Sequence, residues 1–169
     1  VLDDDPTGVQ TVHDISVYTD WEKESIRQGF KEENILFYIM TNSRGFTAAQ
    51  TTEVHREIAA AVQEVSEETR KDYILISRSD STLRGHYPLE TRILRECYEQ
   101  LTGKAVDGEI LCPFFKEGGR FTVHNIHYVQ YGEELVPANE TAFAKDKTFG
   151  DEAADLPASV EENTAGADT

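Results

Sequence analysis

Positive charge, cysteine, proline and long apolar runs are all scarce in this chain. Its 169 residues carry 16 Lys and Arg against 32 Asp and Glu, a formal charge of −16, and the basic residues nowhere gather into a patch. Nucleic-acid binders neutralise phosphates with clustered Lys and Arg, so no nucleic-acid partner is expected. The only cysteines, Cys97 and Cys112, fall on a predicted helix and a predicted strand. They read as buried thiols of a reducing compartment, not as a disulfide or metal pair. No apolar run approaches a membrane span, and the N-terminus lacks the basic and apolar regions of a signal peptide. A cytoplasmic protein with no membrane partner is expected. There is no internal repeat and no low-complexity insert. A hydrophobic fraction of 38% with five prolines fits one domain with a real core.

What is present is an alternation of strand, loop and helix. Val1-Leu2 runs straight into acids and reads as the last rung of a strand begun upstream, so the chain is expected to be a fragment. Residues 15–19 alternate as a strand does, and Asp20 offers a cap to a short helix ending near Gly29. Asn34 to Met40 is nearly all apolar and reads as a central strand. Thr47 opens the longest helix, with Val54, Ile58, Ala61, Val62 and Val65 at helical spacing. Tyr73–Ser77 is the next strand, followed by a helix from Pro88 to Leu101 and a short strand over residues 108–112 stopped by Pro113. Phe121–Val123 and Ile126–Val129 form a predicted hairpin with Asn125 near its turn, and residues 140–150 a helical turn or two. The pattern predicts an α/β fold, one domain, with a mainly parallel sheet covered by helices on both faces in a three-layer, Rossmann-like arrangement. Residues 1–150 are assigned to it. Residues 151–169, with six acids and no Lys or Arg, read as a poorly ordered acidic tail or the start of a linker.

One stretch dominates the chemistry. Ser77-Arg78-Ser79-Asp80-Ser81-Thr82-Leu83-Arg84-Gly85-His86 crowds guanidiniums, a carboxylate and hydroxyls behind a buried strand, where open α/β sheets bind their ligands. Arginines grip carboxylates in bidentate fashion, and Asp80 accepts from hydroxyls. A small hydroxy acid would use all of these groups. The bland alternative is that Asp80, Ser81 or Thr82 caps the next helix while the arginines pair with surface acids. Three further loops follow predicted strand ends: Asp3-Asp4-Asp5-Pro6-Thr7-Gly8, Thr41-Asn42-Ser43-Arg44, and Lys116-Glu117-Gly118-Gly119-Arg120. If the four strands are parallel, these loops face a common crevice. His124 and His127, three apart on an extended segment, point to opposite faces, which argues against a metal.

Taken together, Asp4-Asp5-Pro6-Thr7-Gly8, Asn42-Ser43-Arg44, the Asp80-Ser81-Thr82-Leu83-Arg84-Gly85 string and Gly119-Arg120 resemble the N-terminal domain of the four-carbon acid sugar kinase family, which phosphorylates threonate, erythronate and 3-oxo-tetronate. The resemblance runs from residue 1 to about residue 150. It implies that this half binds the sugar acid, while ATP and Mg²⁺ are held mainly by a C-terminal nucleotide-binding half that this chain lacks; alone it binds substrate without turning it over. Carried onto matching positions, the substrate contacts are Asp4 or Asp5, Arg44, and Asp80 through Arg84, with Arg78, Gly119 and Arg120 beside them. Asp4 or Asp5 is the expected proton acceptor or orienter. No metal ligands are expected among these residues. Self-association is open. Two other readings remain: a stand-alone module that senses a hydroxy acid, and a phosphotransfer or hydrolase domain in which Asp3–Asp5 hold Mg²⁺.

Overall fold

Leu2 and Ile39 are each 2% exposed and lie side by side in register, and the first part of the chain packs around them. The computed structural model describes residues 1–6, 12–146 and 153–166. The chain forms two compact units, one of Val1–Ser79 with Leu89–Glu109, the other of Asp80–Pro88 with Ile110–Thr169.

The first unit holds β1 (Leu2–Asp3), β2 (Val17–Tyr18), α1 (Lys23–Lys31), β3 (Tyr38–Met40), α2 (Ala48–Thr69), β4 (Ser77–Arg78) and α3 (Leu89–Thr102). All four strands are parallel, in the order β2-β3-β1-β4. The fold class is therefore the α/β arrangement that the alternation predicts. Ile26 and Phe30 of α1, Ile58, Ala59, Ala61, Val62 and Val65 of α2, and Leu94 of α3 close over Leu2 and Ile39. The apolar stripe read from the sequence of the long helix is thus its buried face. That helix starts where expected because Thr47 and Gln50 form a reciprocal capping box. In β4, Ser77 and Arg78 pair with Leu2 and Asp3; since side chains alternate across a strand, Arg78 and Asp3 share one face and Ser77 the other.

The second unit is a three-stranded antiparallel sheet of β5 (Arg120–Val123), β6 (Ile126–Tyr131) and β7 (Glu134–Pro137). The β5–β6 turn consists of His124 and Asn125, both at positive φ, +50° and +69°; two such residues give the twist that a tight hairpin needs. A final helix, α4 (Leu156–Asn163), begins at Asp155, whose carboxylate accepts from the Ala158 amide.

Several expectations need correction. Residues 108–112 form no strand, and the sheet's fourth member is β2 instead. Ile110 is 94% exposed, and the chain passes here from one unit to the other; three apolar residues before a proline carry too little pattern to tell a strand from a connector. The strands expected over 34–40 and 73–77 narrow to Tyr38–Met40 and Ser77–Arg78. β7 was not foreseen. The supposedly disordered tail contains α4, and the His127 amide donates to Ala154 O at 2.9 Å. Cys112 is exposed and not a buried thiol, while Cys97 is half-buried. Thr7 and Gly8 of the acidic turn lie outside the described residues. Among the described residues no helix is long and apolar enough to cross a membrane.

Candidate functional site

In the first unit, register decides what meets what. Asp3, Met40 and Arg78 occupy one rung, so the residues that follow β1, β3 and β4 emerge at the same sheet edge. Asp4 and Asp5 leave β1 there, Ser79 leaves β4, and the chain after β3 turns through Asn42, at φ +55°, into a 3₁₀ turn over Ser43–Gly45 that carries Arg44. Asn is one of the few residues that takes this left-handed conformation readily.

Arg44 lays Nε and Nη2 on the two oxygens of Asp4 at 3.1 and 2.8 Å, and Nη1 reaches Asp5 at 3.1 Å. Ser79 Oγ donates to the same Asp4 at 2.9 Å. Arg78 Nη1 donates to Asp3 at 3.2 Å. Burial pushes the Asp3 carboxyl above the usual carboxylate range, and the neighbouring Arg78 guanidinium draws it back in part. Asp3, Asp4 and Asp5 are thus each engaged by a guanidinium. Exposure separates the two acids that the sequence left as alternatives: the Asp4 side chain is 2% exposed and that of Asp5 24%. Asp4 is a buried anchor, and Asp5 is the carboxylate that a ligand can reach.

The Asp80 string belongs to the second unit, and its own side chains bond one another. Arg84 Nε donates to Asp80 Oδ2 at 2.7 Å and to Thr82 Oγ1 at 3.0 Å, and Thr82 Oγ1 bonds Asp80. Asp146 lies 3.9 Å from Arg84 Nη1. Leu83 stands at φ +63°, with its amide donating to Asp80 O at 3.2 Å; backbone held in this region stores strain that the surrounding contacts must support. Ser81 and Thr82 do not cap α3, which starts only at Leu89. The guanidiniums of Arg84 and Arg120 both lie over the Phe143 ring, at 5.0 and 5.4 Å from its centroid. Arg120 Nη1 bonds Gly118 O, while its buried Nε has no hydrogen-bond partner among the described residues. Gly119 serves the backbone: it sits at φ +70°, and a Cβ there would come 3.0 Å from that of Gln130.

Three participants escaped the sequence reading, and a fourth, His127, was weighed there only as a metal ligand. Glu90 and His55 are buried beneath the first cluster, at 2% and 1% exposure. Phe143 joins Arg84 to Arg120. His127 is fully buried, with Nδ1 at 3.0 Å from Thr122 Oγ1 and Nε2 donating to Ser81 O at 2.7 Å. Burial, with Arg120 nearby, pushes its imidazole below the usual histidine range. A signal existed for His127, because it stands two residues from Val129 and so shares the inward face of β6.

The sequence model of a family described as "Sugar-binding N-terminal domain" matches residues 1–168, beyond the limit near residue 150 set by the motifs alone. No curated protein matches the chain.

Proposed function

The chain belongs to the sugar-binding N-terminal domain family, the N-terminal domain of the four-carbon acid sugar kinases, and on that premise we propose that it holds the sugar acid in an ATP-dependent kinase acting on threonate, erythronate or 3-oxo-tetronate. The observation that supports this most is Arg44 bridging the buried Asp4 and the accessible Asp5 at the aligned ends of parallel strands. Asp4 fixes the guanidinium, and the guanidinium fixes Asp5. A carboxylate held in this way is placed to take the proton of a substrate hydroxyl as that oxygen forms its bond to phosphorus. Arg78, which gives one nitrogen to Asp3, is the guanidinium assigned to the substrate carboxylate.

ATP with Mg²⁺, assigned to the C-terminal half, supplies the phosphoryl group and neutralises its charge when bound. Among the described residues no group of three or more His, Cys, Asp or Glu side chains is arranged to hold a metal ion. Asp3, Asp4 and Asp5 are instead engaged by guanidiniums, which favours the sugar-acid reading over one in which they hold Mg²⁺. The family likeness extends the proposal to Asp80, Ser81, Thr82, Leu83, Arg84, Gly119 and Arg120 in the second unit.

The test is a panel of four-carbon acids offered with ATP to the intact protein, scored by mass spectrometry for a phosphate ester. Calorimetric titration of the best substrate follows on wild type, Arg44→Ala, Arg78→Ala and Arg84→Ala, each measured separately. A product with one acid and binding lost in Arg44→Ala and Arg78→Ala is expected. Arg84→Ala decides what the second cluster contributes. Heat of binding with no product would leave a sensing module, and neither heat nor product for any acid would remove the reading.

A further inference from the structure

A buried carboxylate is costly unless something holds it, and Glu90 is held by two hydroxyls with an imidazole beside it. Ser43 Oγ donates to Oε1 at 2.8 Å, Ser77 Oγ donates to Oε2 at 3.2 Å, and His55 Nε2 lies 3.7 Å from Oε1. His55 is itself oriented from α2, its Nδ1 donating to Thr51 O at 2.8 Å. Thr41 extends the network, with Oγ1 at 2.9 Å from Ser43 Oγ and 3.0 Å from Asp3 O. Thr41, Ser43, His55 and Glu90 are all 3% exposed or less, and Ser77 is half-buried.

The two serines stand immediately before Arg44 and Arg78. Ser43 opens the 3₁₀ turn that aims Arg44 at Asp4 and Asp5. Ser77 and Arg78 make up β4, on opposite faces of the strand. A pull on Ser77 from below therefore sets the rotation of β4 and with it the aim of Arg78 above. One rigid carboxylate receives both serines, so the loop after β3 and the end of β4 are referenced to the same two atoms. We propose that Glu90 is a positioning residue that sets Arg44 and Arg78 together, through Ser43 and Ser77. The proposal deepens the sugar-acid reading and rests on it for its purpose, but the linkage it asserts is present without any ligand.

The experiment reads the two arginines directly. Intact protein labelled with ¹⁵N-arginine gives side-chain Nε–H signals, assigned with Arg44→Lys and Arg78→Lys. Ser43→Ala is expected to shift or lose the Arg44 signal alone, Ser77→Ala the Arg78 signal alone, and Glu90→Gln both, with circular dichroism unchanged. If Glu90→Gln does not fold, the selectivity of the serine variants still decides. Equal disturbance of both signals by either serine variant, or neither moved by any variant, overturns the proposal. Titration of the same samples with threonate and erythronate reports separately: an unresponsive wild type would sink the sugar-acid reading while the signal pattern still judged Glu90.

Discussion

Arg44 gives two nitrogens to Asp4 and the third to Asp5, so one side chain ties a buried acid to an accessible one. Removing it would leave Asp4 charged and buried without its guanidinium. Arg44→Ala is expected to lower stability by about 3 kcal/mol, the scale for breaking one side of a buried pair. Arg44→Lys, which cannot reproduce the fork, should recover only part. Urea unfolding of the two variants checks this, and an Arg44→Ala midpoint equal to wild type would show the pair to be incidental.

The two neighbouring acids should part company when neutralised. Asp5, reachable from solvent, is expected to carry the proton transfer of the proposed kinase reaction, so Asp5→Asn should cost the intact protein roughly 100-fold or more in kcat, the range for losing a general base, with little change in melting temperature. Asp4→Asn should unsettle the fold as well, since it weakens both the Arg44 fork and the Ser79 bond. Side-by-side kcat and thermal melts settle the assignment; the reverse pattern would make Asp4 the base.

His127 makes a pH prediction with a definite sign. Its folded-state pKa is depressed, chiefly by burial, so the unfolded chain takes up a proton before the folded one does. Its contribution is intact above the ordinary value of about 6.5 and is lost as pH falls below that, until the folded imidazole also protonates. Wild type should therefore lose more stability than His127→Gln between neutral and mildly acidic pH. Parallel curves for the two proteins would show that His127 does not titrate differently on folding.

Phe143 is the shared surface for two guanidiniums. Phe143→Leu keeps the apolar bulk and removes the ring face. The expected cost is about 1 kcal/mol, the scale for cation–π contacts at partly exposed sites, and in a double-mutant cycle most of it should vanish once Arg84 and Arg120 are already methionine. Additive effects across that cycle would mean that the stacking carries no energy.

Much of the scaffold was legible. The 22-residue helix α2 announced itself through its apolar stripe and Thr47, and the aspartate turn, Arg44 and the Asp80 string stood out by their place after predicted strands and by the family resemblance. Pairing was harder to read. Nothing local distinguishes Ile110-Leu111-Cys112 from a buried strand, because the deciding factor is whether a neighbouring strand offers partners. The acidic character of the last nineteen residues hid α4, although Asp155 followed by Pro157 in the first turn is a helix-start signal. Which acids the arginines meet was also hidden: Arg44, Arg78 and Arg84 pair with Asp4, Asp3 and Asp80, and only the last pair is close in sequence. Glu90 and Ser77 lie thirteen residues apart, and no periodicity relates them.

The bond from His127 N–H to Ala154 O ties the residues just before α4 to β6, and the His127 ring in turn bonds Ser81 of the Asp80 string. A protein trimmed at residue 150 would strip the acceptor from the same histidine whose other end steadies Ser81. Deleting the apparently dispensable acidic terminus should thus loosen a string of residues some seventy positions upstream in sequence.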